Sequence, residues 1–205
     1  MFTRVLIGFA AIALVGLFAA RAVSAQDNAE RVDGVYRSDA FGFSITMPSK
    51  WYSLPAPGAP AVRCAEEELR TGDRKLDPTK ELFVQKCVFL LGRYPAGTVG
   101  NPSFVAVLNW QDNGVVLAPM VSSSIKSFYL AKPASKLTDD VHDETFGGGK
   151  FSVVGVSYED PSVGTMHVRA YTTMIRDFSL SITMQYMNDE DLAAMKASLS
   201  TIKFK

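Results

Sequence analysis

The segment "FSLSITMQY", residues 178–186, places Phe178, Leu180, Ile182, Met184 and Tyr186 at every second position, with Ser179, Ser181, Thr183 and Gln185 between them. A period of two sustained over the whole segment is the repeat of a strand whose faces meet different surroundings, and it leaves little room for a helix. The period changes immediately afterwards. In "NDEDLAAMKASLSTIKF" the apolar residues Leu192, Met195, Leu199 and Ile202 recur at helical spacing. Asn188 or Asp189 is placed to cap, and the acids that follow face the positive end of the helix dipole. A strand running directly into a capped amphipathic helix requires a sheet for the one to join and for the other to cover.

The rest of the chain supplies that sheet. In "GVYRSDAFGFSITMP", Phe41, Phe43, Ile45 and Met47 share one face, and Pro48 ends the ladder because it has no N–H to donate. Trp51 follows as a packed anchor that turns the chain. The runs 82–94 ("LFVQKCVFLLGRY") and 104–111 ("FVAVLNWQ") are apolar on both faces in part, as in interior strands covered on two sides. In "LAPMVSSSIKSFYL", Leu117, Val121, Ile125 and Phe128 change to helical spacing, with Pro119 tolerated in a first turn, so a helix is predicted from about 118 to 131. Two further segments, "ETFGGGKFSVVGVSYED" and "GTMHVRAYTTMIRD", read as a hairpin with a glycine-rich turn and another strand. Strands, helix, strands, helix, with hairpin-length connections, predict an α+β domain: an antiparallel sheet flanked by helices.

The strand "GFSITMPSKW" with its Pro-x-x-Trp break, the helix in mid-chain, and the final strand and helix closing on "SLSTIKF" resemble the PsbP-like group of αβα sandwiches, which includes DcrB-type bacterial envelope proteins. The resemblance covers residues 35–205, read as one domain. It implies an accessory or adaptor habit, in which the fold binds partner proteins, and it carries over no catalytic residue. Two departures stand out: many bacterial members are lipid-anchored, and residues 55–80 look like a loop insertion.

The first 25 residues read as a signal peptide. Arg4 precedes an uncharged apolar run over residues 5–20, and Val23, Ser24 and Ala25 place small residues at a cleavage site. The run is shorter than the roughly 20 residues a spanning helix needs, and Arg21 closes it, so no stable membrane span is expected after cleavage. No cysteine follows the run to take a lipid anchor. Residues 26–34 are polar and without apolar period, the composition of a flexible lead-in. The destination is therefore periplasmic or secreted. In that oxidising setting Cys64 and Cys87 are expected to pair, and closing the loop between them would stabilise the fold by about 3 kcal/mol. The chain holds 21 basic and 21 acidic residues, and loss of Arg4 and Arg21 leaves a slight acidic excess. Such a balance gives no field to draw nucleic acid.

Motifs for chemistry are sparse. "FGGGK" (146–150) lacks the spacing and the following Ser or Thr of a phosphate loop, and reads as a hairpin turn. His142, Asp143 and Glu144, with Asp139 and Asp140 nearby, are adjacent on an extended segment, so their side chains alternate and no metal site is expected; solvated loop charge is the reading. No Gly-x-Ser-x-Gly elbow is present and the two cysteines do not have zinc or redox spacing. His167, Arg169 and Tyr171 share a strand face opposite Met166, Val168 and Ala170. Ser44 and Thr46, then His167, Arg169 and Thr173, and then Ser179, Ser181, Thr183 and Gln185 form polar strand faces. Where these coincide they make a hydroxyl-rich surface for a partner or sugar-like ligand, with His167, Arg169, Thr173, Ser181, Thr183 and Gln185 as its binding residues. The function expected is that of an exported, non-enzymatic accessory or adaptor domain that binds a protein in the cell envelope, without cofactor. The alternative is a periplasmic hydrolase or small-ligand-binding protein using His167 and Arg169. A third possibility is docking through the 55–80 segment.

Overall fold

The computed structural model describes residues 31–39, 41–54, 84–110, 117–176 and 178–205. The residues expected to form the leader, Cys64 and the 55–80 segment lie outside them. The strands are β1 (Arg31–Val32), β2 (Val35–Ser38), β3 (Phe43–Thr46), β4 (Trp51–Ser53), β5 (Val84–Gly92), β6 (Ser103–Trp110), β7 (Lys136–Phe146), β8 (Gly149–Asp160), β9 (Gly164–Ile175), β10 (Phe178–Tyr186) and β11 (Lys203–Phe204). Helix α1 (Ala118–Leu130) stands between β6 and β7, and α2 (Asp189–Leu199) between β10 and β11. An eight-stranded sheet runs in the order β1-β4-β5-β6-β10-β9-β8-β7 with every neighbour antiparallel, and a second sheet of three strands runs β11-β3-β2. This is an α+β sandwich. Helix α1 packs on one face of the large sheet; α2 and the small sheet occupy the other.

The alternation in β10 decides the middle of this arrangement. Leu180, Ile182 and Met184 are fully buried, and so are Phe104, Ala106 and Leu108 of β6, which pair across from β10. Phe41, Phe43, Ile45 and Met47 close on that surface, with Met195 and Leu199 of α2 and Ile202 beyond it. A ring contact between Tyr36 and Phe89 joins the small sheet to the large one, within which Phe89 meets Phe104. Pro48 therefore marks a change of sheet: β3 ends in the small sheet, and Trp51, buried as expected, opens β4 in the large one. The cap of α2 is Asn188, whose side chain accepts from the Asp191 N–H at 3.0 Å.

Two expectations are corrected. The end of the lead-in is ordered, since Arg31 and Val32 pair with Tyr52 and Trp51. The charges at 139–144 lie in β7, the edge strand of the large sheet, and not in a loop. Cys64, expected to pair with Cys87, lies outside the described residues; Cys87 packs beside Leu54, Leu90 and Val105, and burial pushes its pKa up to about 11.

Candidate functional site

Residues opposed across an antiparallel ladder project from the same face, so the pairing of β9 with β10 tests the expected polar surface. Thr172 opposes Ser181, Ala170 opposes Thr183 and Val168 opposes Gln185; His167 opposes Tyr186, Arg169 opposes Met184 and Thr173 opposes Leu180. Ser181, Thr183 and Gln185 thus lie on the α1 face, whereas His167, Arg169 and Thr173 lie on the α2 face with the large apolar cluster. The faces do not coincide. Ser44 and Thr46 belong to the small sheet and join neither.

Nor is the hydroxyl-rich side an open surface. Ser179, Ser181, Thr183 and Gln185 are all buried. Gln185 donates to the Tyr129 hydroxyl of α1 at 3.1 Å and accepts from Ser103 at 3.1 Å. Asn109 donates to the Ser181 hydroxyl at 3.3 Å, and Thr172 and Ser181 share a hydrogen bond of 3.1 Å. Buried polar groups need such partners to offset their lost hydration. The stripe therefore acts as an internal polar seam beneath α1, and burial pushes the Tyr129 hydroxyl well above its usual range.

On the other face Arg169 belongs to a charge cluster that ordinary alternation would not assemble. It lies 2.6 Å from Glu144 and 2.8 Å from Asp139, and its Nε donates to the Tyr171 hydroxyl at 2.8 Å. His142 stands between the same carboxylates, 3.1 Å from Glu144 and 3.3 Å from Asp139. His142 and Glu144 are two residues apart and share a face. Asp139 joins them because the register of β7 shifts between Asp139 and His142, inserting one extra residue as in a β-bulge. Gly155 of β8 lies between Asp139 and Arg169 in the ladder. A Cβ there would come within 2.9 Å of the Asp139 Cβ, so only glycine leaves the bulge its place. An isolated glycine inside a strand pattern, as in "VVGVS", is the sequence mark of such a close approach.

The electrostatics follow from these contacts. The His142 pKa is raised, first by its hydrogen bond to the Asp140 carbonyl and further by the Glu144 and Asp139 carboxylates. Burial works against the Glu144 charge, but the hydrogen bonds from Arg169 and His142 outweigh it and hold Glu144 below its ordinary range. Donor atoms of Asp139, His142 and Glu144 all lie within 4.8 Å of one another, the spacing of a metal triad. The Arg169 guanidinium already bridges both carboxylates, so a cation would have to displace it. His167 sits apart from this network, its ring stacked on Tyr186 at 5.3 Å. Thr173 is separate again and donates to the Lys150 carbonyl at 2.7 Å.

Two surfaces were not foreseen. At the end of the sheet where β5 leads to β6, Tyr94 and Val99 are exposed at 46% and 70%. A Cβ on Gly100 would meet Val163 of the β8–β9 turn at 2.7 Å and the Met187 sulfur at 3.3 Å, so these loops touch. Met187 is itself 41% exposed, giving an apolar tip built from three connections. At the opposite end, where β8 begins and β9 finishes, lies a recess of about 550 Å³ whose lining includes Thr173 but neither His167 nor Arg169.

No protein-family model matches the sequence, and no curated protein matches it. Among solved structures the chain is similar to LpqN, involved in cell envelope biogenesis of Mycobacterium tuberculosis, at 16% identity and a TM-score of 0.49, over 87% of this chain and 91% of that one. It is also similar to the cyanobacterial PsbP (CyanoP) from Synechocystis sp. PCC 6803, at 10% identity and a TM-score of 0.49, over 90% of this chain and 98% of that one. A PsbP thus stands among the structures this chain is similar to.

Proposed function

We propose that this chain is an exported accessory domain that binds a protein partner in the cell envelope through the loops at one end of its large sheet. The observation that supports this reading is the apolar tip of Tyr94, Val99 and Met187, three large exposed side chains on loops that touch. Exposed apolar clusters of this kind mark interaction sites more often than chance. The apolar leader supplies the address, and among the described residues no helix is long and apolar enough to cross a membrane. The hydrolase alternative has no comparable support, because Arg169 is held by two carboxylates and His167 lies against Tyr186.

The test uses the chain from residue 26 onward, cross-linked in an envelope extract, beside the Tyr94→Ser/Val99→Ser/Met187→Ser variant. Exposed substitutions of this kind leave folding within about 0.5 kcal/mol each. A discrete cross-linked protein captured by the native chain and lost with the folded variant is expected. Capture that is equal in the two would show that the tip is not the docking surface.

A further inference from the structure

The recess at the far end of the sheet has a composition that the adaptor reading does not use. Helix α1 begins on its wall with Ala118 and Pro119. Its N-cap position, Leu117, makes no side-chain cap, and no acid stands in its first turn. The positive end of a 13-residue helix is therefore left without the compensation usual for a helix start. Lys150, Arg176 and Lys205 bring three cations to the same recess.

A second observation points the same way. Ser152 also lines the recess; it is 3% exposed, and its hydroxyl is one of the buried polar groups without a hydrogen-bond partner. The neighbouring Ser122 hydroxyl is committed to the Ser152 carbonyl at 3.1 Å and does not satisfy it. A buried hydroxyl left unpaired is costly, and it would be satisfied by an acceptor bound in the recess. Among the described residues one carboxylate, Asp143, also lines the recess, but it is paired with Lys150 at 2.8 Å in an exposed contact. Lys205 is likewise paired with exposed Asp39. Such surface pairs are worth little and exchange readily for a better anion. Phe41 and Phe204 line the recess beside these charges, giving it an apolar wall.

We propose that this recess binds a phosphate monoester or diester group, its oxygens accepting from Ser152 and facing the α1 N-terminus and Lys150, with the esterified apolar part lying on Phe41 and Phe204. Phosphate suits the site because it offers several acceptor oxygens to one hydroxyl donor, several cations and a helix dipole at once. A soluble phosphoester and a lipid headgroup share this chemistry, and the two arms of the test separate them.

Calorimetric titration of the folded chain with phenyl phosphate and with inorganic phosphate, together with sedimentation on vesicles of phosphatidylglycerol or of phosphatidylcholine alone, tests the proposal. Saturable binding of phenyl phosphate, tighter than that of inorganic phosphate and weakened by salt, is expected. Ser152→Ala should weaken it about tenfold, the equivalent of one charge-assisted hydrogen bond. In the absence of ligand the same variant should be as stable as the native chain or more so, since it removes an unsatisfied hydroxyl; a structural role for Ser152 would give the reverse. Lys150→Gln should weaken binding as well. Sedimentation with phosphatidylglycerol vesicles that Ser152→Ala abolishes would identify a lipid headgroup, and binding of phenyl phosphate alone a soluble ester. No saturable signal in either arm, or an affinity unchanged in Ser152→Ala, overturns the proposal.

Discussion

Arg93 leaves the end of β5 and reaches two acids at the start of α2. It donates to Glu190 at 2.8 Å and to Asp191, and these bonds, that to Glu190 foremost, raise its pKa further above its already high value. Asp191 is only 2% exposed, so its carboxylate depends on that guanidinium. Removing one partner of a buried pair leaves an uncompensated charge. Arg93→Ala is therefore expected to destabilise the fold by about 2–4 kcal/mol in urea titration, and adding Asp191→Asn should recover part of the loss. A cost within the ordinary range of surface substitutions would mean that water reaches Asp191.

At the scale of elements, β7 is the most distinctive piece of the fold. It is the outer strand of the large sheet, densely charged and shifted in register twice. Charges and bulges of this kind keep a sheet edge from pairing with another chain. They also gather His142, Asp139 and Glu144 around Arg169, and the charge of Lys196 in α2 further lowers the Glu144 pKa. The sign of the pH dependence follows. His142 has a folded pKa above its ordinary 6.5, so its contribution is full below that value and fades as pH rises through the folded pKa. Glu144 has a folded pKa below its ordinary 4.5, so its contribution is present above that value and is lost as pH falls through the folded pKa. Both groups are partly exposed, which keeps each contribution under about 1 kcal/mol. Stability measured against pH should thus be greatest between these limits, and His142→Gln should remove the decline on the alkaline side. An unchanged alkaline slope in that variant would assign the decline to another group.

For the whole molecule, the two layers meet at the β7–β8 turn. Gly147 has φ of 55°, and a Cβ there would lie 1.8 Å from the Ile202 carbonyl oxygen, while Gly149 faces the Phe204 ring. The turn is thereby pressed against the segment that carries β11 into the small sheet. Gly147→Ala combines backbone strain with a clash against main chain, and should destabilise by about 3 kcal/mol or more. Gly148 also has positive φ, at 79°, but nothing lies within 4 Å of its Cβ position, so Gly148→Ala should cost only the backbone term of about 1 kcal/mol. Equal costs for the two variants in thermal unfolding would mean that the hairpin does not bear on the C-terminal segment. The apolar tip and the recess lie at opposite ends of the same sheet, so the two binding tests can be read independently.

Periodicity along the chain determined the local elements: the alternating strand at 178–186, the helix from 118, the capped helix from 188, the burial of Phe41, Phe43, Ile45, Met47 and Trp51, and hence the α+β class. These depend on neighbours a few residues away, and the sequence records them directly. Which faces would come together was a matter for the tertiary structure. Parity made Ser181, Thr183 and Gln185 one row and His167, Arg169 and Thr173 another, but only the β9–β10 register set the rows on opposite sides of the sheet. Alternation likewise kept Asp139 apart from His142 and Glu144, until a bulge in β7 and the missing side chain of Gly155 brought them together. A strand pattern states which residues share a face; the cover over that face comes from segments distant in sequence, and here α1 turned a polar surface into a buried seam.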